Sequence, residues 1–304
     1  MGPITKKQIS IAIVGPTAVG KSSLAIALAR KYNGEIISAD SRQVYKGLDI
    51  GTGKVTKKEM SGVPHHMLDI VSPKKQYSVA EFQKIGREKI TDIFSRGKLP
   101  IICGGTGLYV DSLLKNSQFP QVTPNEELRA RLEEKTTAEL FQIVKGLDPR
   151  RAETIDPHNP RRLVRAIEIA TALGSVPNVQ LTTSNSRQRV LWIGLTLPPE
   201  ELKKRIADRL ETRLKTGMIQ EAKKLHTLGL SWKRMEELGL EYRYLARFLQ
   251  GNITKEEMIT SLQSEIWHYA KRQMTWFRRN EEITWFTPHN ALQIMTTVGN
   301  FLRA

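Results

Sequence analysis

The sequence predicts an α/β protein whose core is a doubly wound parallel sheet, with a helical insertion and a helical C-terminal region. Two patterns support this. Short apolar runs alternate with helical periodicity through residues 1–114, and helical periodicity without intervening strands follows them. These patterns divide the chain into the first part of the core over 1–114, an insertion over 115–189, and core completion with C-terminal helices over 190–304.

The first part of the core shows strands and helices in turn. Its apolar runs are short, contain β-branched residues and end at glycine, proline or aspartate, as buried parallel strands do. Between them, apolar residues recur at helical spacing. The predicted strands are 9–14, 35–39 and 99–103, and the predicted helices are one ending at Asn33, one over 78–96, and one beginning near Leu108.

The insertion lacks this alternation. Residues 125–147 and 160–173 have helical periodicity with no strand between them, which predicts a helical domain. The apolar run 190–197 resumes the sheet, and Pro198-Pro199 begins a chain segment that is mostly helical to about residue 279.

Composition limits the class of protein. The chain has 304 residues, is 39% hydrophobic and carries a formal charge of +16, with the basic excess spread along its length. A broad basic surface favours a polyanionic partner such as nucleic acid, although solubility alone could explain it. One cysteine excludes an internal disulfide, and no apolar run approaches the ~20 residues of a membrane helix. No signal sequence precedes the first strand, so we expect a cytoplasmic protein. We also expect a monomer.

A phosphate-binding motif follows the first strand. Gly15–Ser22 fits the pattern G-x-x-x-x-G-K-[ST], the P-loop, between a strand and a helix. Backbone N–H groups of such a loop point at one anion, Lys21 adds a positive charge, and the Ser22 hydroxyl can ligate Mg²⁺. The expected phosphate-binding residues are Gly15, Pro16, Thr17, Ala18, Val19, Gly20, Lys21 and Ser22.

The motif does not identify the molecule that bears the phosphate. Most P-loops hold ATP or GTP, which favours a small-molecule kinase or an RNA-binding NTPase. The chain has no Asn-Lys-x-Asp guanine signature, which argues against a GTPase. Asp40 ends the second strand and could hold Mg²⁺ or act as a general base toward an acceptor.

Further motifs occur in order along the chain, in segments 36–54, 64–69, 77–78, 104–109, 156–168, 205–217 and 269–277. In order and spacing, these motifs resemble the bacterial type of the tRNA dimethylallyltransferase family. The resemblance spans about residues 11–286. Two departures are visible: Glu241 stands where the family commonly has glycine, and no Cys/His zinc finger follows the helical region.

The resemblance implies a reaction. The P-loop would hold the diphosphate of dimethylallyl diphosphate with Mg²⁺, and the acceptor would be the adenosine 3′ of the anticodon in tRNAs reading codons that begin with U. Asp40 would take the proton of the N6 amine, Thr106 would help hold the adenosine, and Arg209 would contact the diphosphate. The residues implied to contact the tRNA anticodon stem-loop are Asp40, Ser41, Arg42, Gln43, Thr106, Arg161, Arg162, Leu163, Val164, Arg165, Tyr242, Arg243, Lys271, Arg272 and Gln273.

Other candidate residues have simpler explanations. Arg205 and Arg213 share a predicted helix face with Arg209 and are either ligands or a solvated stripe. The pair His65-His66 lacks a third ligand nearby and is expected to be structural. The aromatic residues near Lys271 could face RNA, but aromatic residues at helical spacing more often pack in a core.

Overall fold

A computed structural model describes residues 8–115, 117–177 and 188–304. The described strands are β1 (Gln8–Val14), β2 (Gly34–Ser38), β3 (His65–His66), β4 (Leu99–Gly104), β5 (Gln188–Leu195) and β6 (Thr284–Phe286). The described helices are α1 (Lys21–Lys31), α2 (Lys57–Met60), α3 (Val79–Ser95), α4 (Gly107–Leu114), α5 (Glu126–Glu133), α6 (Thr137–Leu147), α7 (Pro149–Ala152), α8 (Pro160–Leu173), α9 (Pro199–Lys215), α10 (Met218–Thr227), α11 (Trp232–Leu238), α12 (Leu240–Leu249), α13 (Lys255–Phe277) and α14 (Ala291–Arg303).

The six strands form one parallel sheet in the order β3-β2-β4-β1-β5-β6. The central strands are buried on both faces, and Ile11 of β1 pairs with Ile101 of β4 inside the core. Helices cover both faces, which is why these strands are continuous apolar runs. The predicted doubly wound α/β fold is confirmed.

The strand order locates a crevice. From β1 the chain winds through β2 to β4 on one side, and later continues through β5 and β6 on the other. Ligands of open α/β sheets bind at the carboxyl ends of the strands beside such a switch. The segments that leave these ends begin at Gly15 after β1, Ala39 after β2 and Gly105 after β4.

Residues Ser117–Thr182 form a compact unit of their own, whose described helices are α5 to α8. Its small core is built around Leu140, Leu163 and Ile167. The helical stretch predicted over 125–147 consists of two helices, because a capping box at Thr136 starts α6. The insertion was predicted to end at residue 189. Residues 178–187, which precede this boundary, lie outside the described residues.

The sequence patterns missed the two edge strands and the last helix. β3 has two residues and β6 has three, too few for a visible alternation. Parallel pairing places β6 beside β5, with Ile193 opposite Thr284. Among the described residues, none of the helices combines the length and apolar character that crossing a membrane requires.

Candidate active site

A cavity of about 650 Å³ lies at the carboxyl edge of the sheet. The phosphate loop lines it from Thr17 to Ser22. Asp40 after β2, Arg209 of α9 and Gln273 of α13 line it too. The fold therefore gathers at one site residues that are far apart in the sequence.

The start of α1 gives this cavity an anion-binding wall. No side chain caps the helix, so the N–H groups of its first turn lack a side-chain partner. Lys21 Nζ donates a hydrogen bond to the Pro16 carbonyl at 2.5 Å. Burial lowers the pKa of Lys21 to about 8, and the positive charge of Arg209 acts in the same direction, whereas Asp40 opposes it.

Gln273 ties α13 to the phosphate loop. Its Oε1 accepts a hydrogen bond from the Thr17 N–H at 2.8 Å, and its Nε2 donates to the Gly105 carbonyl at 2.9 Å. The side chain is buried, and both ends of the amide have protein partners. Contact of Gln273 with tRNA stays a prediction, and the role visible in this structure is to brace the loop.

Asp40 is half-buried and is held by its own turn. Its Oδ1 accepts hydrogen bonds from the N–H groups of Arg42 at 2.8 Å and Gln43 at 3.3 Å. Within the described part of the chain, Oδ2 has no hydrogen-bond partner. One oxygen therefore fixes the carboxylate and the other is available, as a general base requires.

Thr106 lies beside this turn and does not line the cavity. Its Oγ1 accepts a hydrogen bond from the Ser41 N–H at 3.1 Å. Tyr269 of α13 lies near Thr106, and burial raises the pKa of Tyr269 to about 12, so its hydroxyl stays protonated at neutral pH. Tyr269 lines the cavity. From the sequence it was one of the aromatic residues near Lys271 and was not predicted as a cavity residue.

The three arginines on α9 differ in their partners. Arg205 pairs with Glu201 at 2.9 Å, and Arg213 donates to Glu241 at 2.9 Å. Arg209 has no hydrogen bond or ion pair with any described residue. Its side chain is exposed and lines the cavity. Desolvation by the protein atoms around the guanidinium, and then the charge of Arg213, lower the pKa of Arg209 to about 10.

Two residues predicted to contact tRNA on α12 have protein partners. Tyr242 is 1% exposed, and its hydroxyl donates to Glu221 at 2.6 Å. Arg243 is half-buried and donates to the Glu236 carbonyl at 3.4 Å. The structure therefore presents Arg243 partly to solvent, and it presents almost none of Tyr242.

On α13 the basic residues are exposed and several aromatic residues are packed. Lys271 and Arg272 face solvent, with the Lys271 ammonium 5.9 Å from the ring centre of Trp267. Trp276 donates to Asp111 at 3.0 Å, and Phe277 is buried in the core. The expectation that part of this aromatic set packs in the core is confirmed.

The insertion carries a second, basic cavity of about 300 Å³. Arg151, Arg161 and Arg162 line it, and Asp156 adds one carboxylate, whose Oδ1 accepts from the His158 N–H. Arg161 and Arg162 are exposed, and among the described residues their guanidinium groups have no partner. The Nε of Arg151 is buried without a hydrogen-bond partner.

The rest of the segment predicted to bind RNA faces inward. Leu163 is fully buried, and Val164 packs against the same core. Arg165 donates to Glu168 at 3.1 Å and to the Val122 carbonyl at 2.9 Å. Only the first two residues of 161–165 therefore offer free charge.

The expected Mg²⁺ ion is compatible with the residues present. Within the residues that the structure describes, no three acidic, histidine or cysteine side chains converge as a cation site. Ser22 and Asp40 line the same cavity and offer a hydroxyl and an unpaired carboxylate oxygen. Mg²⁺ is commonly held by one or two protein oxygens together with substrate phosphates and water, which fits this set.

The histidine pair has structural partners. His66 Nε2 lies 2.7 Å from the buried Glu35 carboxylate, and His65 Nδ1 lies 2.8 Å from the Val63 carbonyl. Glu35 also binds Arg96 and Lys98, and these hydrogen bonds hold the pKa of Glu35 far below its usual range. The cluster fixes the edge strand β3 beside β2.

The chain matches known proteins over nearly its whole length. A family model described as "IPP transferase" matches residues 43–280, and one described as "Isopentenyl transferase" matches 9–74. A protein of Treponema denticola named tRNA dimethylallyltransferase 2 is 47% identical, over 92% of this chain and 94% of its own.

Solved structures agree with these matches. A full-length tRNA isopentenylpyrophosphate transferase from Bacillus halodurans is 38% identical, with a TM-score of 0.73 over 98% of this chain and 97% of its own. A eukaryotic dimethylallyltransferase acting on tRNA is 31% identical, with a TM-score of 0.76 over 89% of this chain and 70% of its own. The resemblance inferred from the motifs is confirmed. The chain belongs to the IPP transferase family and is a prenyltransferase of the tRNA dimethylallyltransferase type.

Proposed function

We propose that this protein transfers a dimethylallyl group from dimethylallyl diphosphate to an adenosine of tRNA. The acceptor is the N6 amine of the adenosine 3′ of the anticodon, in tRNAs reading codons that begin with U, and diphosphate is released. One observation carries the proposal: an anion-binding loop, an unpaired arginine and a carboxylate with one free oxygen line a single cavity. The names of the relatives support the same reaction.

The proposed transfer forms one bond, breaks one bond and needs an acceptor for one proton. The N6 nitrogen forms a bond to C1 of the dimethylallyl group while the bond from C1 to the diphosphate oxygen breaks. Adenine amines are weak nucleophiles, so a base that takes the N6 proton assists the step. Asp40 suits this role because the N–H groups of Arg42 and Gln43 orient it through Oδ1 only.

The leaving diphosphate gains negative charge as the bond breaks. Lys21, Arg209 and the N–H groups at the start of α1 stabilise that charge from fixed positions. Mg²⁺, held through the Ser22 hydroxyl, would add further charge neutralisation on the diphosphate.

The acceptor is buried within the anticodon loop and must leave its stack to react. Thr106 and Tyr269 lie near Asp40, where an extruded base would meet them. The exposed Arg161, Arg162, Lys271 and Arg272 would bind the RNA backbone. We propose that the protein acts on tRNA in the cytoplasm as a monomer.

The test uses the full chain with dimethylallyl diphosphate, Mg²⁺ and total tRNA, and detects prenylated adenosine by mass spectrometry. A parallel reaction replaces the donor with ATP. We expect a dimethylallyl adduct on adenosine with the first donor and no product with ATP. Stoichiometric ATP hydrolysis stimulated by a small acceptor, without prenylated RNA, would instead identify a kinase.

The position of the acceptor needs a second comparison. Anticodon stem-loops are prepared that differ only in the adenosine 3′ of the anticodon or in the third anticodon base. Replacement of the adenosine should abolish the adduct, and replacement of the third anticodon base should reduce it. Equal modification of all three stem-loops would contradict the proposed site.

A further inference from the structure

The segment 49–53 forms one wall of the donor cavity. Thr52 and Gly53 line the cavity, and Arg209 lines it alongside them. The position of this segment therefore sets the shape of the wall that a diphosphate meets beside Arg209.

Glu221 of α10 holds the segment through three consecutive backbone amides. Its Oε2 accepts hydrogen bonds from the N–H groups of Asp49 at 3.0 Å and Ile50 at 2.7 Å, and its Oε1 accepts from Gly51 at 2.9 Å. Successive N–H groups that converge in this way form an anion-binding concavity. Here a carboxylate of the chain itself fills it, with hydrogen bonds strengthened by its charge.

Tyr242 of α12 completes this carboxylate's shell. Its hydroxyl donates to Glu221 Oε1 at 2.6 Å from a side chain that is almost fully buried. The approach requires glycine at position 51, because a Cβ there would lie 2.7 Å from the tyrosine oxygen. The Glu221 carboxylate, the Tyr242 hydroxyl and the backbone at Gly51 therefore pack directly against one another.

The same segment contacts the arginines of α9. Arg213 donates to the Gly51 carbonyl at 3.0 Å as well as to Glu241. A Cβ at Gly53 would lie 3.0 Å from Arg209 Nη2 and 2.7 Å from Arg213 Nη2, so both guanidinium groups pack directly against this glycine. Moving the segment would therefore move the surface on which Arg209 rests.

We infer that Glu221 and Tyr242 are positioning residues for the donor: they hold segment 49–53, and through Gly53 that segment fixes the guanidinium of Arg209 in the cavity. The inference rests on the proposed function, because it takes a diphosphate as the occupant of the cavity. It moves Tyr242 from the tRNA side, where the sequence resemblance placed it, to the donor side.

The test measures binding of inorganic diphosphate with Mg²⁺ to the full chain by calorimetry, so it needs neither tRNA nor turnover. Tyr242→Phe removes one hydroxyl, and Glu221→Gln removes the negative charge with little change of shape. Each should weaken diphosphate binding about tenfold, as expected for loss of a hydrogen bond to a charged group. The KM for tRNA should stay within about twofold of wild type, since neither side chain reaches RNA.

A double-mutant cycle separates positioning from general destabilisation. If Tyr242 acts through Arg209, then Tyr242→Phe should weaken diphosphate binding far less when Arg209 is already alanine. Arg247→Gln is the control, because Arg247 lies on the same helix and pairs with Glu236 at the surface. It should leave diphosphate binding unchanged.

Three results would overturn the inference. Unchanged diphosphate affinity together with a raised KM for tRNA would return Tyr242 to the RNA side. Equal losses with and without Arg209 would show that the two residues act independently. A wild-type chain that binds no diphosphate would overturn the proposed function and this inference with it. If Glu221→Gln does not fold, the milder Tyr242→Phe decides alone.

Discussion

The backbone N–H of Thr17 donates a hydrogen bond of 2.8 Å to the side chain of Gln273, 256 residues later in the chain. The other end of the same amide donates to Gly105 at 2.9 Å. One side chain on α13 therefore braces both the phosphate loop and the turn after β4. Gln273 also accepts the hydrogen bond of the Thr17 N–H, a group that the loop motif alone would assign to phosphate.

Gln273→Ala should weaken donor binding and leave RNA binding intact. Removal of the amide leaves the Thr17 N–H and the Gly105 carbonyl without their partner and loosens the loop. We expect dimethylallyl diphosphate to bind about tenfold more weakly, as for loss of a buried hydrogen bond. Calorimetry measures donor affinity, and filter binding measures the affinity for an anticodon stem-loop.

The neighbouring Arg272 is the matched control. It is exposed and its guanidinium has no partner among the described residues. Arg272→Gln should weaken binding of the stem-loop and spare the donor, the reverse of Gln273→Ala. If both variants lost only RNA affinity, Gln273 would be an RNA contact and the bracing role would be wrong.

Donor binding should weaken as the pH rises through about 8, which is the pKa that burial gives Lys21 in the free protein. Diphosphate favours the charged ammonium and so raises its pKa on binding. Affinity is therefore greatest below the free pKa and falls above it, until the pKa of the complex is passed. The measurement is the dissociation constant of inorganic diphosphate between pH 6.5 and pH 9.5, a range chosen to span roughly that pKa.

Lys21→Arg tests the assignment, because a guanidinium stays charged across this range. Whatever its affinity at low pH, diphosphate binding by this variant should lose the decline near pH 8. A decline of the same size in the arginine variant would assign the titration to another group.

Local sequence was sufficient to predict the phosphate loop and Asp40. Both follow directly from an apolar strand, and in a parallel sheet a residue after a strand lies at the carboxyl edge. The parallel, doubly wound sheet also followed from the alternation of β and α elements, whereas the order of its strands became visible only in the structure. β6 was missed because a three-residue strand carries no periodicity of its own and is fixed by pairing with β5.

Tyr242 and Arg165 show what local sequence could not predict. Both were implied to contact tRNA, yet Tyr242 is buried against Glu221 of another helix. The half-buried Arg165 is held by the nearby Glu168 and by the Val122 carbonyl, 43 residues away. Glu221 is 21 residues from Tyr242, and nothing in the spacing indicates that they meet. Such partners are decided by tertiary packing, and a sequence motif carries no information about tertiary packing.

Asp40→Asn should slow chemistry without loss of the donor. The amide oxygen can still accept from the N–H groups of Arg42 and Gln43, so the turn survives, but no base remains for the N6 proton. The single-turnover rate should fall by about 10²–10⁴. Near-normal chemistry would remove Asp40 from the proton transfer, and loss of diphosphate binding would point to metal ligation or structure.

The arginines of the insertion should separate into two classes. Arg161 and Arg162 have free guanidinium groups, whereas Arg165 is paired with Glu168 and Val122. Replacing Arg161 and Arg162 by glutamine should weaken tRNA binding and reduce the salt slope by about two, one for each lost phosphate contact. Affinity measured from 50 mM to 200 mM salt, roughly the range in which such slopes are read, gives the result.

Arg165→Gln should instead lower the melting temperature and leave the salt slope unchanged. It leaves the fully buried carboxylate of Glu168 with one partner fewer. If Arg165→Gln flattened the slope as much as the change at Arg161 or Arg162, its ion pair would have to open on RNA binding.

Arg209 differs from the other two arginines on the same face of α9. Arg205 and Arg213 have carboxylate partners, whereas the guanidinium of Arg209 has no partner among the described residues and lines the cavity. If Arg209 meets the leaving diphosphate, its loss is felt most in the transition state, where the charge is greatest. Arg209→Ala should cost about 10²–10³ in kcat/KM, the size found when one donor to a developing anion is removed. Arg209→Lys should recover part of the lost kcat/KM, because an ammonium supplies charge without the two-pronged geometry of a guanidinium.

Arg205→Ala is the matched control, because Arg205 lies one turn away and pairs at the surface with Glu201. It should change stability by at most about 0.5 kcal/mol and leave kcat/KM intact. Arg213 is not a neutral control, since it also binds the Gly51 carbonyl in the cavity wall. Equal kcat/KM for the Arg205 and Arg209 alanine variants would leave Arg209 with no special part in the reaction.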